Sequence, residues 1–92
     1  MIDQKTKIDT GRRLKRIKGQ IEGVERMIEN EKYCIDIINQ ITAARNALEK
    51  VSLVLMKRHM ESCIADSIQS GDEKSKSQKL DELMKTLYKF VT

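Results

Sequence analysis

The sequence predicts an all-α fold, on three observations. Apolar residues recur at steps of three and four through most of its length, proline is absent, and charged residues make up 35% of the 92 positions. The recurrence is that of one face of a helix, nothing in the chain breaks a helix as proline does, and so high a charge fraction suits long helices with solvated faces. A chain of this length is expected to form one domain, 1–92, which gains only marginal stability from burying its own apolar surface. Association with further copies is one remedy.

The first helix is predicted over about Lys5 to Glu31, where Ile8, Leu14, Ile17, Ile21, Val24, Met27 and Ile28 supply an apolar face. Asp9 and Thr10 are of the type that caps a helix start, here one near Gly11. Gly19 and Gly23 lie inside the pattern, each costing about 1 kcal/mol relative to alanine in an exposed helix, and their presence predicts close helix packing. Asn30, Glu31 and Lys32 interrupt the periodicity. The second helix runs from about Cys34 to Ser70, with no glycine or proline before Gly71.

At 1.5 Å per residue the second helix is roughly 54 Å long, well beyond the ~13 Å radius of gyration of a compact hundred-residue domain. Much of its length must therefore pack against something else. Val51, Leu53, Val54 and Leu55 make its middle apolar on more than one face, which predicts burial on two sides. An antiparallel dimer of long helices would provide it. Gly71 is expected to end the helix as a left-handed cap, with a polar loop over Asp72–Gln78. A short third helix from about Lys79 then carries Leu80, Leu83, Met84, Leu87 and Val91 on one stripe.

The formal charge of +4 is unevenly spread. Residues 1–18 hold seven basic side chains (Lys5, Lys7, Arg12, Arg13, Lys15, Arg16, Lys18) against Asp3 and Asp9, a local excess of five. Such an excess is a phosphate-binding surface or a solvated helix face. With no apolar run long enough to span a bilayer and no secretory leader, the chain is expected to be cytoplasmic and free of membrane. There, two cysteines serve more readily as thiolates than as a disulfide. Enzyme signatures are lacking: no phosphate loop, no second histidine for a conventional metal hydrolase, no nucleophile elbow. A nucleophilic Cys63 activated by His59 would lack a substrate pocket in so small a helical chain.

Cys34, His59 and Cys63 are the chain's entire complement of cysteine and histidine. His59 and Cys63, four apart, lie one turn apart on one helix face and suit a common ion. Cys34 precedes His59 by 25 residues, roughly 37 Å along an unbroken helix, so a three-ligand site needs Cys34 from another copy. Structural zinc sites take four ligands, whereas two thiolates and one imidazole suit Cu(I). Met56 and Met60 are nearby thioethers assigned to packing. Taken singly, each of the three ligands has an inert reading, a buried thiol or a surface imidazole.

The run Arg13-Leu14-Lys15-Arg16-Ile17-Lys18-Gly19-Gln20-Ile21-Glu22-Gly23-Val24, then Lys32-Tyr33-Cys34, Gln40-Ile41 and Arg58-His59 through Cys63, resembles the CsoR/RcnR family of metal-sensing bacterial repressors, in its copper-sensing (CsoR) branch. The likeness covers nearly the whole chain. It implies a three-helix protomer with a long central helix, an antiparallel dimer, and a disc-shaped dimer of dimers that binds operator double-stranded DNA without a helix-turn-helix. It implies Cu(I) ligation by Cys34 of one protomer with His59 and Cys63 of its neighbour, and a tyrosine and a glutamate, Tyr33 and Glu82, that link metal binding to DNA release.

Other branches differ at the ligand positions. Nickel or cobalt sensors carry histidine in place of the second cysteine, formaldehyde sensors an acidic residue, and persulfide sensors lack the histidine. His59 with Cys63 thus favours copper, and sulfur sensing through Cys34 and Cys63 is the alternative. DNA contacts are expected from Arg13, Arg16 and Lys50, then Lys18 and Arg45. A copper buffer without DNA binding and a purely structural adaptor are the readings from other classes.

Overall fold

The computed structural model describes residues 2–70 and 73–91 as three helices: α1 Gln4–Glu29, α2 Cys34–Ser70 and α3 Glu73–Val91. No strand occurs among the described residues, and none of their helices is long and apolar enough to cross a membrane. The residues cluster into two compact units, Ile2–Met56 and the segment from Lys57 onward. Gly71 and Asp72, expected to end α2 and open a loop, lie outside the described residues.

In the first unit, α1 starts earlier than its expected cap. Asp3 has an extended backbone and its Oδ1 accepts the Thr6 N–H at 2.9 Å, satisfying one of the donors a helix start leaves open. Asp9 and Thr10 are interior instead: Thr10 is buried and donates its hydroxyl to the Thr6 carbonyl at 2.8 Å. Asp3 is as good a cap as Asp9, and nothing between them breaks a helix, so the longer helix wins. At the other end, Glu31 N–H donates to Ile28 O (3.1 Å) and Lys32 N–H to Met27 O (3.0 Å). This is the Schellman closure, and it requires a left-handed residue, here Glu31 with φ 51°.

Only residues 30–33 connect α1 to α2. The Tyr33 carbonyl accepts the Ile37 N–H at 3.2 Å and starts the new helix, and so short a connection folds α2 back antiparallel to α1. Ile17 of α1 and Ala44 and Val51 of α2 are the buried apolar residues described in this unit. The close packing expected at Gly19 and Gly23 is not found among the described residues. A Cβ at Gly19 would meet nothing within 4 Å, and one at Gly23 only the Arg26 guanidinium, at 3.7 Å.

In the second unit α3 begins at Glu73, six residues before the expected Lys79. Residues 73–78, expected as part of a polar loop, are helical because Glu, Lys and Gln are good helix formers and no proline or glycine intervenes after Gly71. Their polarity marks a solvated face, with Lys74, Ser77 and Gln78 exposed. The expected single stripe divides: Leu83 is buried and Leu87 half-buried, whereas Leu80 and Met84 are exposed. The side chain of Val91 lies outside the described residues. Lys79 Nζ reaches Asp66 Oδ2 at 3.1 Å, tying α3 to the end of α2.

Candidate metal centre and nucleic-acid interface

His59 and Cys63 are both half-buried on α2, and Cys63 Sγ lies 3.6 Å from His59 Nε2. The one-turn spacing does this: residues four apart on a helix stack on one face. Two donors sharing a soft or borderline ion at metal–sulfur and metal–nitrogen lengths of ~2.3 and ~2.0 Å are themselves roughly 3.5 Å apart, so thiol and imidazole already stand at ligand separation. Which atom carries the shared proton depends on the imidazole tautomer. Beside them, Arg58 pairs with Glu61 at 3.6 Å, turning that carboxylate to the guanidinium.

Cys34 is the first residue of α2 and is exposed, and both cysteines are free thiols. It borders a shallow open cleft lined by Ile28, Glu31, Lys32, Ile37 and Ile38. Among the described residues, no three His, Cys, Asp or Glu side chains of one chain converge to hold a metal. The donor chemistry fits a soft cation at His59 and Cys63, and a third ligand must be added to that pair. Tyr33 stands exposed in the turn ahead of Cys34. Glu82 is exposed on α3, where its main-chain carbonyl accepts the Thr86 hydroxyl at 3.0 Å.

Among the basic residues, exposure and pairing differ. Arg16, Lys18, Arg45 and Lys50 are exposed, but Arg13 Nε donates to Asp9 Oδ1 at 3.2 Å, one turn back. A phosphate would compete with Asp9 for that guanidinium. Asp9, expected as a cap, instead pairs with Arg13, and the i,i+4 spacing of an acid with an arginine is the signal that could have found it.

The family model for the metal-sensitive transcriptional repressor matches residues 6–89. The chain is 44% identical over 79 residues to the copper-sensing transcriptional repressor CsoR of Bacillus subtilis, covering 86% of this chain and 75% of that protein. It is 43% identical over 60 residues to the copper-sensing transcriptional repressor RicR of Mycobacterium tuberculosis, covering 65% and 62%. The fold resembles that of the copper-sensing repressor CsoR with Cu(I) from Geobacillus thermodenitrificans, with a TM-score of 0.84, 40% identity and coverage of 98% and 91%. The nickel-responsive regulator InrS shares it at a TM-score of 0.77, 33% identity and 89% coverage of each chain. The same fold thus occurs in a copper-sensing repressor and in a nickel-responsive regulator. These are regulators and not enzymes, and the chain belongs to the metal-sensitive transcriptional repressor family.

Proposed function

We propose that this chain is a cytoplasmic, Cu(I)-responsive repressor that binds operator double-stranded DNA when metal-free and releases it when copper is bound. The observation that carries the reading is the His59–Cys63 pair, 3.6 Å apart on one turn of α2, in a family in which relatives named copper-sensing reach 44% identity. Cu(I) is a soft acid that accepts thiolate and imidazole together. Cys34 of one subunit completes the set with His59 and Cys63 of its neighbour, in an antiparallel dimer that pairs again into a tetramer. Both thiols bind as thiolates, so each gives up its proton.

His59 would hold the metal through one ring nitrogen and donate the other N–H to Glu82 or to the Tyr33 of the copy that supplies Cys34, which would fix the ring and couple the site to the rest of the protein. The basic face of α1 and adjoining α2, with Arg16 and Lys50 exposed and Arg13 shared with Asp9, meets the operator phosphates, helped by Lys18 and Arg45. Closing Cys34 of one subunit on His59 and Cys63 of the other favours an arrangement that holds DNA less tightly.

The test is an anaerobic Cu(I) titration against a competing chelator, with and without DNA from upstream of the protein's own gene, repeated with a persulfide donor. Copper-driven release is expected, and His59→Ala should lose that release to a greater degree than it loses copper binding. Release by persulfide and not by Cu(I) would transfer the role to Cys34 and Cys63 as a sulfur sensor. Tight Cu(I) binding with no affinity for the DNA would make the protein a buffer.

A further inference from the structure

Within the unit from Lys57 onward, α2 carries three donors of the kind Cu(I) takes within about one turn. His59 Nε2 and Cys63 Sγ stand 3.6 Å apart, and Met60 comes one residue after the histidine and three before the cysteine. Successive residues of a helix are rotated by ~100°, so Cys63 falls between the other two, with His59 roughly 40° to one side and Met60 roughly 60° to the other. Residues three and four apart are neighbours on a helix surface. Met60 is therefore as much a neighbour of Cys63 as His59 is.

Packing among the described residues does not claim Met60 as it was expected to. The residue is 40% exposed, and its unbranched side chain with three rotatable bonds can turn its sulfur toward Cys63. The chemistry of that sulfur is selective. Thioether and thiolate are the soft ligands that favour Cu(I), whereas zinc draws its ligands from cysteine, histidine and carboxylates. Among the described residues no three His, Cys, Asp or Glu side chains converge. Met60 raises His59 and Cys63 to three donors without a second copy.

We propose that Met60 is a Cu(I) ligand within the single subunit, its thioether holding the ion together with His59 and Cys63 until Cys34 of another copy takes its place. The inference rests on the copper site proposed above and adds a donor to it. The exchange is a ligand substitution at constant oxidation state, in which a bond from the ion to the Met60 sulfur breaks and one to the Cys34 sulfur forms. Cys63 gives its thiol proton to solvent when the ion first binds, and Cys34 gives up its own on joining. An anionic thiolate attracts a cation more strongly than an uncharged thioether does, which sets the direction of the exchange. Met60 thus governs how copper arrives, and Cys34 how the site closes.

The full-length Cys34→Ser chain, labelled with 13C at its methionine methyl groups, isolates the arrangement. Anaerobic titration with Cu(I) should shift the Met60 methyl signal, identified among the five methionines by its loss in Met60→Leu, a replacement of similar volume. Zn(II) in place of Cu(I) should leave that signal where it was. In the same background Met60→Leu should weaken Cu(I) binding against a competing chelator by ~10-fold or more, since even a group that only supports a metal ligand is worth about 10–100-fold in affinity. With Cys34 restored, Met60→Leu should slow the capture of Cu(I) from the chelator in stopped-flow mixing. A Met60 methyl unmoved by Cu(I), an equal shift with Zn(II), or unaltered affinity and capture in Met60→Leu overturns the proposal. The wild-type chain is titrated alongside. If it fails to bind Cu(I), the copper reading falls and this inference with it, whereas wild-type binding with an unmoved Met60 methyl sinks this inference alone.

Discussion

Glu31 occupies a left-handed backbone position, φ 51°, at the closure of α1 and three residues before Cys34. A side chain there costs about 1–2 kcal/mol, part of which glycine would return as chain entropy on folding. Glu31→Gly is therefore expected to stabilise the protein by about 0.5–1 kcal/mol, read as a raised urea midpoint at unchanged slope. A lowered midpoint would show that the Glu31 side chain makes contacts worth more than the strain. At this scale the His59–Cys63 contact was legible from spacing, because residues four apart must share a helix face whatever the rest of the chain does. The Asp9–Arg13 pair was equally legible. The use of Glu31 where glycine is the common choice was not, since a Schellman closure is recognised in a sequence by its glycine.

At the scale of elements, α2 matches its expected limits of Cys34 and Ser70, while α1 and α3 both begin earlier than expected. The difference has one cause. Helix ends are set by capping competition among nearby residues, and polar helix formers such as Glu73 to Gln78 do not announce whether they are loop or solvated helix. The attachment of α3 within its unit distinguishes burial from charge. Leu83 is buried, and Leu83→Ala should cost about 2–4 kcal/mol, whereas the part-exposed Lys79–Asp66 pair is worth about 0.2–1 kcal/mol. Amide hydrogen exchange along α3 should accordingly accelerate strongly in Leu83→Ala and only slightly in Lys79→Ala. The opposite order would mean that the ion pair, and not the apolar contact, holds the helix.

At the scale of the whole molecule, two linkages follow from association and from sensing. If copies associate to share a metal site, the thermal midpoint should rise with protein concentration, since whatever binds the folded chain stabilises it by mass action; a concentration-independent midpoint would point to a stable folded monomer. Coupling between sites is reciprocal, so operator DNA should weaken Cu(I) binding by the same factor by which copper weakens DNA binding, in a range of roughly 5–150-fold. Isothermal titrations at matched salt measure both factors. Unequal values would place a third equilibrium, such as a change in oligomer number, between the two sites. By itself the sequence determined three helical segments, the length of α2, the basic first helix and the one-turn pairing of His59 with Cys63. All of these depend on neighbours within a turn or two along the chain. Only the tertiary structure decided which apolar face each helix spends on its own chain: Ile17, Ala44 and Val51 are buried, while Leu14, Ile21, Ile28, Ile41, Leu48 and Leu55 are left outward. Periodicity leaves the two faces nearly equal, and it is the packing of α1 against α2 that breaks the tie.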